Sequence, residues 1–166
     1  MTQLVFLADI HNQGDSIGES LQNAGASIAE GSIAVLLEID EGDDYLIPKS
    51  QYDEVLKIIC EDKLDSSDYK LVKNMMLESN NSVYAFDCEG GAQSIERQNC
   101  QREKICEILK QPDVKNKASV VVIDGIAHLQ YQQGKPDWLP LQITPPKYPN
   151  VASIKAGFPD GEDING

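Results

Sequence analysis

Two histidines and a set of carboxylates stand at the ends of short apolar runs, and this placement is where the sequence could do chemistry. Asp9 and His11 close the run LVFLADIH, and their i, i+2 spacing puts both on one face of an extended segment. Glu38 and Asp40 end SIAVLLEID, Asp87 and Glu89 end SVYAFDCE, and Asp124 ends ASVVVID with His128 just beyond Gly125. Imidazoles and carboxylates gathered in this way can hold a divalent ion or move a proton. Glu38 carries the sharpest signal, because an acid inside an apolar VLLEI run is costly to bury unless it is paired or liganded. The other residues have plainer uses. A strand-end carboxylate often caps the following helix, a lone histidine is often a satisfied structural group, and Gly125 is also what a simple turn needs.

The elements that must position these residues read as alternating strands and helices. Leu4–Asp9, Ser32–Ile39, Ser82–Asp87 and Ala118–Asp124 are continuously apolar and rich in β-branched residues, which marks strands covered on both faces; a last short strand is expected near Val151–Ile154. After the first strand, Asp15 and Ser16 offer N-caps to a helix carrying Ile17, Leu21, Ala24 and Ile28, closed by Gly31. Pro48 to Lys63 and Ser66 to Ser79 read as a helical hairpin, and Gln93 to Gln111 as a long polar helix. Strands alternating with helices predict right-handed crossovers and a mainly parallel sheet with helices on both faces, a three-layer α/β/α fold. Ligands of such sheets bind outside the carboxyl ends of the strands, where the candidate residues fall. His11 and His128 are therefore expected close enough to share a ligand or a water. One domain over residues 1–158 and a mobile acidic tail over 159–166 complete the expected organisation.

Composition narrows the partners. Lys and Arg number 14 against 27 Asp and Glu, a formal charge of −13, so a polyanion such as nucleic acid is repelled. The same field favours divalent cations or basic partner surfaces. No apolar stretch of about 18 residues suggests a membrane span, and no basic leader precedes the first strand, so the expected location is the cytoplasm, or outside the cell by export without a cleavable signal peptide. Cys60, Cys88, Cys100 and Cys106 form no CxxC pair and read as reduced, packed thiols.

Taken together, Ala8-Asp9-Ile10-His11, Leu36-Leu37-Glu38, Arg102 with Glu103, and Val120 to Leu129 around Gly125 and His128 resemble the TraB, ChaN and erythromycin-esterase (Tiki-type) superfamily. Its pattern is a Gly-x-x-His after the first strand, a glutamate after the second, an arginine on a helix, and a late Gly-x-x-His. The order holds over about Leu4 to Pro140, with Ala8 in the place of the first glycine, Asp9 in that of the usual glutamate, and Arg97 as the alternative to Arg102. The resemblance implies a divergent relative. Members include metal-dependent hydrolases or peptidases, a haem binder and a metal-independent protease. It carries over Asp9, His11, Glu38, Arg102 and His128 as catalytic residues.

The resulting expectation is a peptidase- or esterase-like hydrolase acting on a protein or small-molecule substrate. If a metal takes part, His11, Glu38 and His128 would hold Mn, Co or Zn, and the ion would lower the pKa of bound water to about 7, with Asp9 as the base. Three rivals stand beside it. One is a binding domain that keeps the fold without turnover. Another is a calcineurin-like metallophosphoesterase, suggested by the Asp9-x-His11 opening but short of the Asn-His block and further histidines that chemistry needs. The third is a thiol hydrolase pairing Cys88 with His128.

Overall fold

The computed structural model describes residues 2–10, 13–28, 31–39, 45–60, 65–78, 80–90, 94–126, 129 and 151–160. His11, Asp40, His128 and residues 161–166 lie outside the described residues. In chain order the elements are β1 (Thr2–Asp9), α1 (Ser16–Ala24), β2 (Ile33–Leu37), α2 (Tyr52–Cys60), α3 (Ser67–Leu77), β3 (Ser82–Ala85), α4 (Ile95–Leu109), α5 (Pro112–Lys115), β4 (Ser119–Gly125) and β5 (Val151–Gly157).

The five strands form one sheet in the order β3-β2-β4-β1-β5, and every pairing is parallel. This is the expected α/β architecture with helices on both faces. The apolar strands alternate with period two, so each supplies both layers. Val5, Leu7, Val35, Leu37, Val83, Ala85, Val121 and Ile123 point to one core, which also takes Ile17 of α1, Leu56 of α2 and Val72 and Met76 of α3. Leu4, Phe6, Leu36, Tyr84, Val120 and Val122 point to the other core, against Ile105, Ile108 and Leu109 of α4. Each such fully buried Leu, Val or Phe contributes about 1.5–3 kcal/mol of transfer free energy, which explains why these runs tolerate so few polar residues. The two faces follow from handedness. The chain steps outward from β1 to β2 to β3 and then back to β4, and right-handed crossovers in opposite directions lie on opposite faces.

Local details differ from the sequence reading. Helix α1 stops at Gly25 rather than running on to Gly31, because Gly25 takes the left-handed conformation (φ 63°) and its N–H closes on the Gln22 carbonyl. Its N-terminus is capped from a distance. Asp15 makes no capping bond, and Asp68 of α3 instead accepts from the N–H groups of Ile17 and Gly18, both at 2.9 Å. Strand β5 runs three residues beyond the expected end. Gly157 closes it where a Cβ would fall 1.8 Å from the Ser20 carbonyl oxygen, so only glycine lets α1 lie this close. Beyond β5, Asp160 accepts a bond from Asn23 at 2.8 Å, and its N–H donates to Glu19.

Candidate functional site

The period-two alternation that builds the two cores also sorts the acids. Asp124 occupies the last turn-facing position of β4 on the α4 face, in phase with Val120 and Val122, and the paired register sets Asp9 beside Gly125 rather than beside Asp124. Asp9 therefore falls on the opposite face. There it accepts from the Ser16 hydroxyl at 3.3 Å and lines a cavity of about 10 Å³, the scale of one water, with Ser66, Cys60 and Asp68. Burial first, then Asp9 and Asp68, push the Cys60 thiol up to about 12.

On the α4 face the ends of β2, β3 and β4 converge. Glu38 follows β2 in phase with Leu36, and backbone bonds from Phe86 to Leu37 and from Asp87 to Ile39 carry the β2–β3 pairing past the ends of both strands, within reach of one arginine for both the Glu38 and Asp87 carboxylates. The Arg97 guanidinium bridges the two acids: Nε and Nη2 donate to Asp87 at 3.0 and 2.8 Å, Nη2 also donates to Glu38 Oε1 at 3.0 Å, and Nη1 donates to the Gly90 carbonyl at 3.1 Å. Gln101, one turn further along α4, donates to Asp87 Oδ1 at 2.8 Å, and Lys104 donates to the Asp87 backbone carbonyl. Burial disfavours the Arg97 charge, but Asp87 above all, then Glu38 and Asp124, outweigh it and hold its pKa above the ordinary arginine value.

Behind this ion pair sits Asp124, with 0% exposure. The Gly125 N–H is shared between two carboxyls, donating to Glu38 Oε2 at 2.5 Å and to Asp124 Oδ1 at 3.0 Å. Asp124 Oδ2 and Gln101 Oε1 are buried with no hydrogen-bond partner among the described residues. Burial raises the Asp124 pKa well above the usual carboxylate range, and the neighbouring Glu38 and Asp87 raise it further. The unpartnered oxygen has a simple resolution. Two carboxylates cannot bond to each other, but a proton on Asp124 supplies the donor that Glu38 can accept.

Of the residues singled out from sequence, Glu38 joins Asp87 and Asp124, while Asp9 is set on the other face. Arg97, the alternative to Arg102, reaches both Glu38 and Asp87; Arg102 is a half-buried residue of α4. His11 and His128 lie outside the described residues, and in the chain they follow the paired residues Asp9 and Gly125. Arg97 and Gln101 had a readable signal: they continue, at helical spacing, the buried stripe of Ile105 and Ile108 toward the N-terminus of α4. The cysteine reading needs correction. Cys88 and Cys100 form a disulfide, with Cα atoms 6.2 Å apart, while Cys60 and Cys106 remain thiols, so Cys88 is not a thiolate nucleophile.

The expected metal centre finds no support among the described residues. No group of three or more His, Cys, Asp or Glu side chains there could hold an ion, and both oxygens of Glu38 are already bonded. Among the described residues no helix is long and apolar enough to cross a membrane. A cavity of about 300 Å³ lined by Leu21, Ile28, Ile33, Leu71 and Met75 opens at the amino end of β2, away from Glu38. No protein-family model, no curated protein and no solved structure matches the chain.

Proposed function

We propose that this protein is a hydrolase of the peptidase or esterase kind whose working pair is Glu38 and Asp124. One observation carries the reading: a fully buried carboxyl, Asp124, presents beside Glu38 an oxygen with no partner among the described residues, and both converge on the Gly125 N–H. Two carboxyls at such range share one proton, because the second negative charge is too costly beside the first. The pair then holds a base and an acid together at neutral pH. The Glu38 side chain is 15% exposed and Asp124 is sealed, so Glu38 is the member that meets water and substrate, with Asp124 holding the proton behind it. Arg97 fixes Glu38 and favours its ionised form, and a glutamate so held can take a proton from an attacking water. His11 and His128, which continue from β1 and β4, are proposed as the imidazoles of the same site, in keeping with the resemblance to the Tiki-type superfamily.

The binding-domain reading has an observation of its own, since Arg97 and Gly125 occupy both Glu38 oxygens and could serve only to tie β2, β3 and α4 together. A screen of chromogenic esters and a peptide library separates the two. Turnover in the parent that survives a chelator and falls at least about a hundredfold in Glu38→Gln supports the acid–base hydrolase, in line with the usual worth of general acid–base catalysis. Absence of turnover throughout favours the binding domain, and activity abolished by chelation returns the metal-dependent scheme.

A further inference from the structure

The Cys88–Cys100 disulfide joins the same two elements as the ion pair at the candidate site. Cys88 directly follows Asp87, and its N–H donates to Asp87 Oδ1 at 2.7 Å. Cys100 lies on α4, three residues after Arg97 and one before Gln101, the two side chains that grip the Asp87 carboxylate. The turn beyond Cys88 is part of the same grip, because Gly90, in the left-handed half of backbone space at φ 134°, gives its carbonyl to Arg97 and packs against that side chain. The crosslink spans 12 residues of sequence, and every polar contact of the Asp87 carboxylate described above comes from the chain it encloses or from the helix turn that continues it.

We propose that the Cys88–Cys100 disulfide is a redox clamp on this site: its reduction frees the β3 end from α4, releases Asp87 from Arg97, and so loosens the guanidinium that holds Glu38 Oε1, leaving the Gly125 N–H in place on Oε2. The chemistry is a thiol–disulfide exchange. A dithiol reductant gives two electrons and two protons, the Sγ–Sγ bond breaks, Cys88 and Cys100 become thiols, and the reductant leaves as its own disulfide. Cys88 is nearly buried while Cys100 is half-buried, so the exposed route of attack is at the α4 sulfur. Neither of the other two cysteines competes as a disulfide partner: Cys60 lies on the opposite face, beside Asp9, and Cys106 is buried within α4.

The consequence for activity rests on the proposed hydrolase, but the clamp itself does not, and the test keeps them apart. The full chain, air-oxidised, is unfolded without reductant and alkylated; mass spectrometry should find two labelled cysteines, Cys60 and Cys106. Four labelled cysteines would overturn the proposal. On a Cys60→Ser/Cys106→Ser background, hydrogen exchange of the Arg97 Nε–H and of the backbone amides of residues 87–90 is then followed with and without dithiothreitol. Reduction should speed that exchange by roughly tenfold or more while amides of β1 and β4 stay protected, the pattern of a local rather than a global opening. A Cys88→Ser/Cys100→Ser protein should match the reduced state and ignore the reductant. Unchanged exchange at Arg97 on reduction, or equal loosening of the whole sheet, would overturn the clamp. Where turnover is measurable, it should fall on reduction and return on reoxidation; local loosening in a protein without turnover upholds the clamp and rejects only the hydrolase.

Discussion

Arg97→Ala is the perturbation whose size the structure fixes best. It removes the donors that bridge Asp87 and Glu38 and leaves both carboxylates facing each other at the edge of the sheet. Removing one partner of a fully buried pair costs roughly 3–5 kcal/mol, but here the Arg97, Asp87 and Glu38 side chains keep 14%, 13% and 15% exposure, and solvent screening brings the expected loss to about 2–3 kcal/mol. For a chain of this length 1 kcal/mol moves Tm by about 2–4 °C, so the midpoint should drop by about 4–12 °C. Arg97→Lys should recover less than half of the loss, because an ammonium cannot reproduce the two parallel bonds to Asp87. Urea and thermal melts of the parent, Arg97→Ala, Asp87→Asn and the double variant give the coupling directly, which should exceed about 1 kcal/mol. A loss within about 0.5 kcal/mol, the range of an ordinary surface change, or an equal loss in Arg102→Ala, would refute the assignment of Arg97 as the organising residue.

Four further outcomes follow from particular contacts. Asp124→Asn should be more stable than the parent at pH 7: a buried acid with a raised pKa keeps its proton when the unfolded chain has lost it, so parental stability falls as pH rises from about 4, and the Asn variant escapes that fall. Melts from pH 4 to 8 should show the gap widening with pH, and a gap that narrows contradicts it. Gly157→Ala should cost roughly 1–3 kcal/mol, because its Cβ meets the Ser20 carbonyl at 1.8 Å; an unchanged melting point would mean that α1 is not packed as described. Asp68→Ala should destabilise by about 1–2 kcal/mol through the lost cap of α1, whereas Asp15→Ala should be nearly neutral, and the reverse order would return the cap to Asp15. Cys60, its thiol pKa pushed up to about 12, should resist iodoacetamide in the native protein at pH 8, and labelling as fast as free cysteine would contradict its burial beside Asp9 and Asp68.

The sheet was readable because its strands are apolar on both faces, and a run such as SVVVID has no other compact use than a buried parallel strand. The ends of elements were less so. Gly31 and Gly25 both take positive φ, and sequence alone does not say which of them stops α1. Within the site, Glu38 stood out because a lone acid in an apolar run demands a partner, but the partner sits 59 residues away, at Arg97. Asp9 and Asp124 looked equivalent as strand-end acids. The register of β1 against β4 separates them, since neighbouring strands in parallel set Asp9 beside Gly125 and one residue of phase decides the face. The disulfide was invisible because spacing along the chain does not reveal that the turn after β3 folds onto the first turns of α4.

The central claim, that Glu38 and Asp124 work as a proton-sharing pair, is tested most directly by the pH dependence of kcat/KM for the best ester or peptide substrate in the parent and in Asp124→Asn. Loss of the shared proton at high pH removes the acid, so the parental rate should fall along an alkaline limb, and that limb should be absent in the variant. An alkaline limb retained unchanged in Asp124→Asn, or no turnover of any substrate by the parent, would contradict the account.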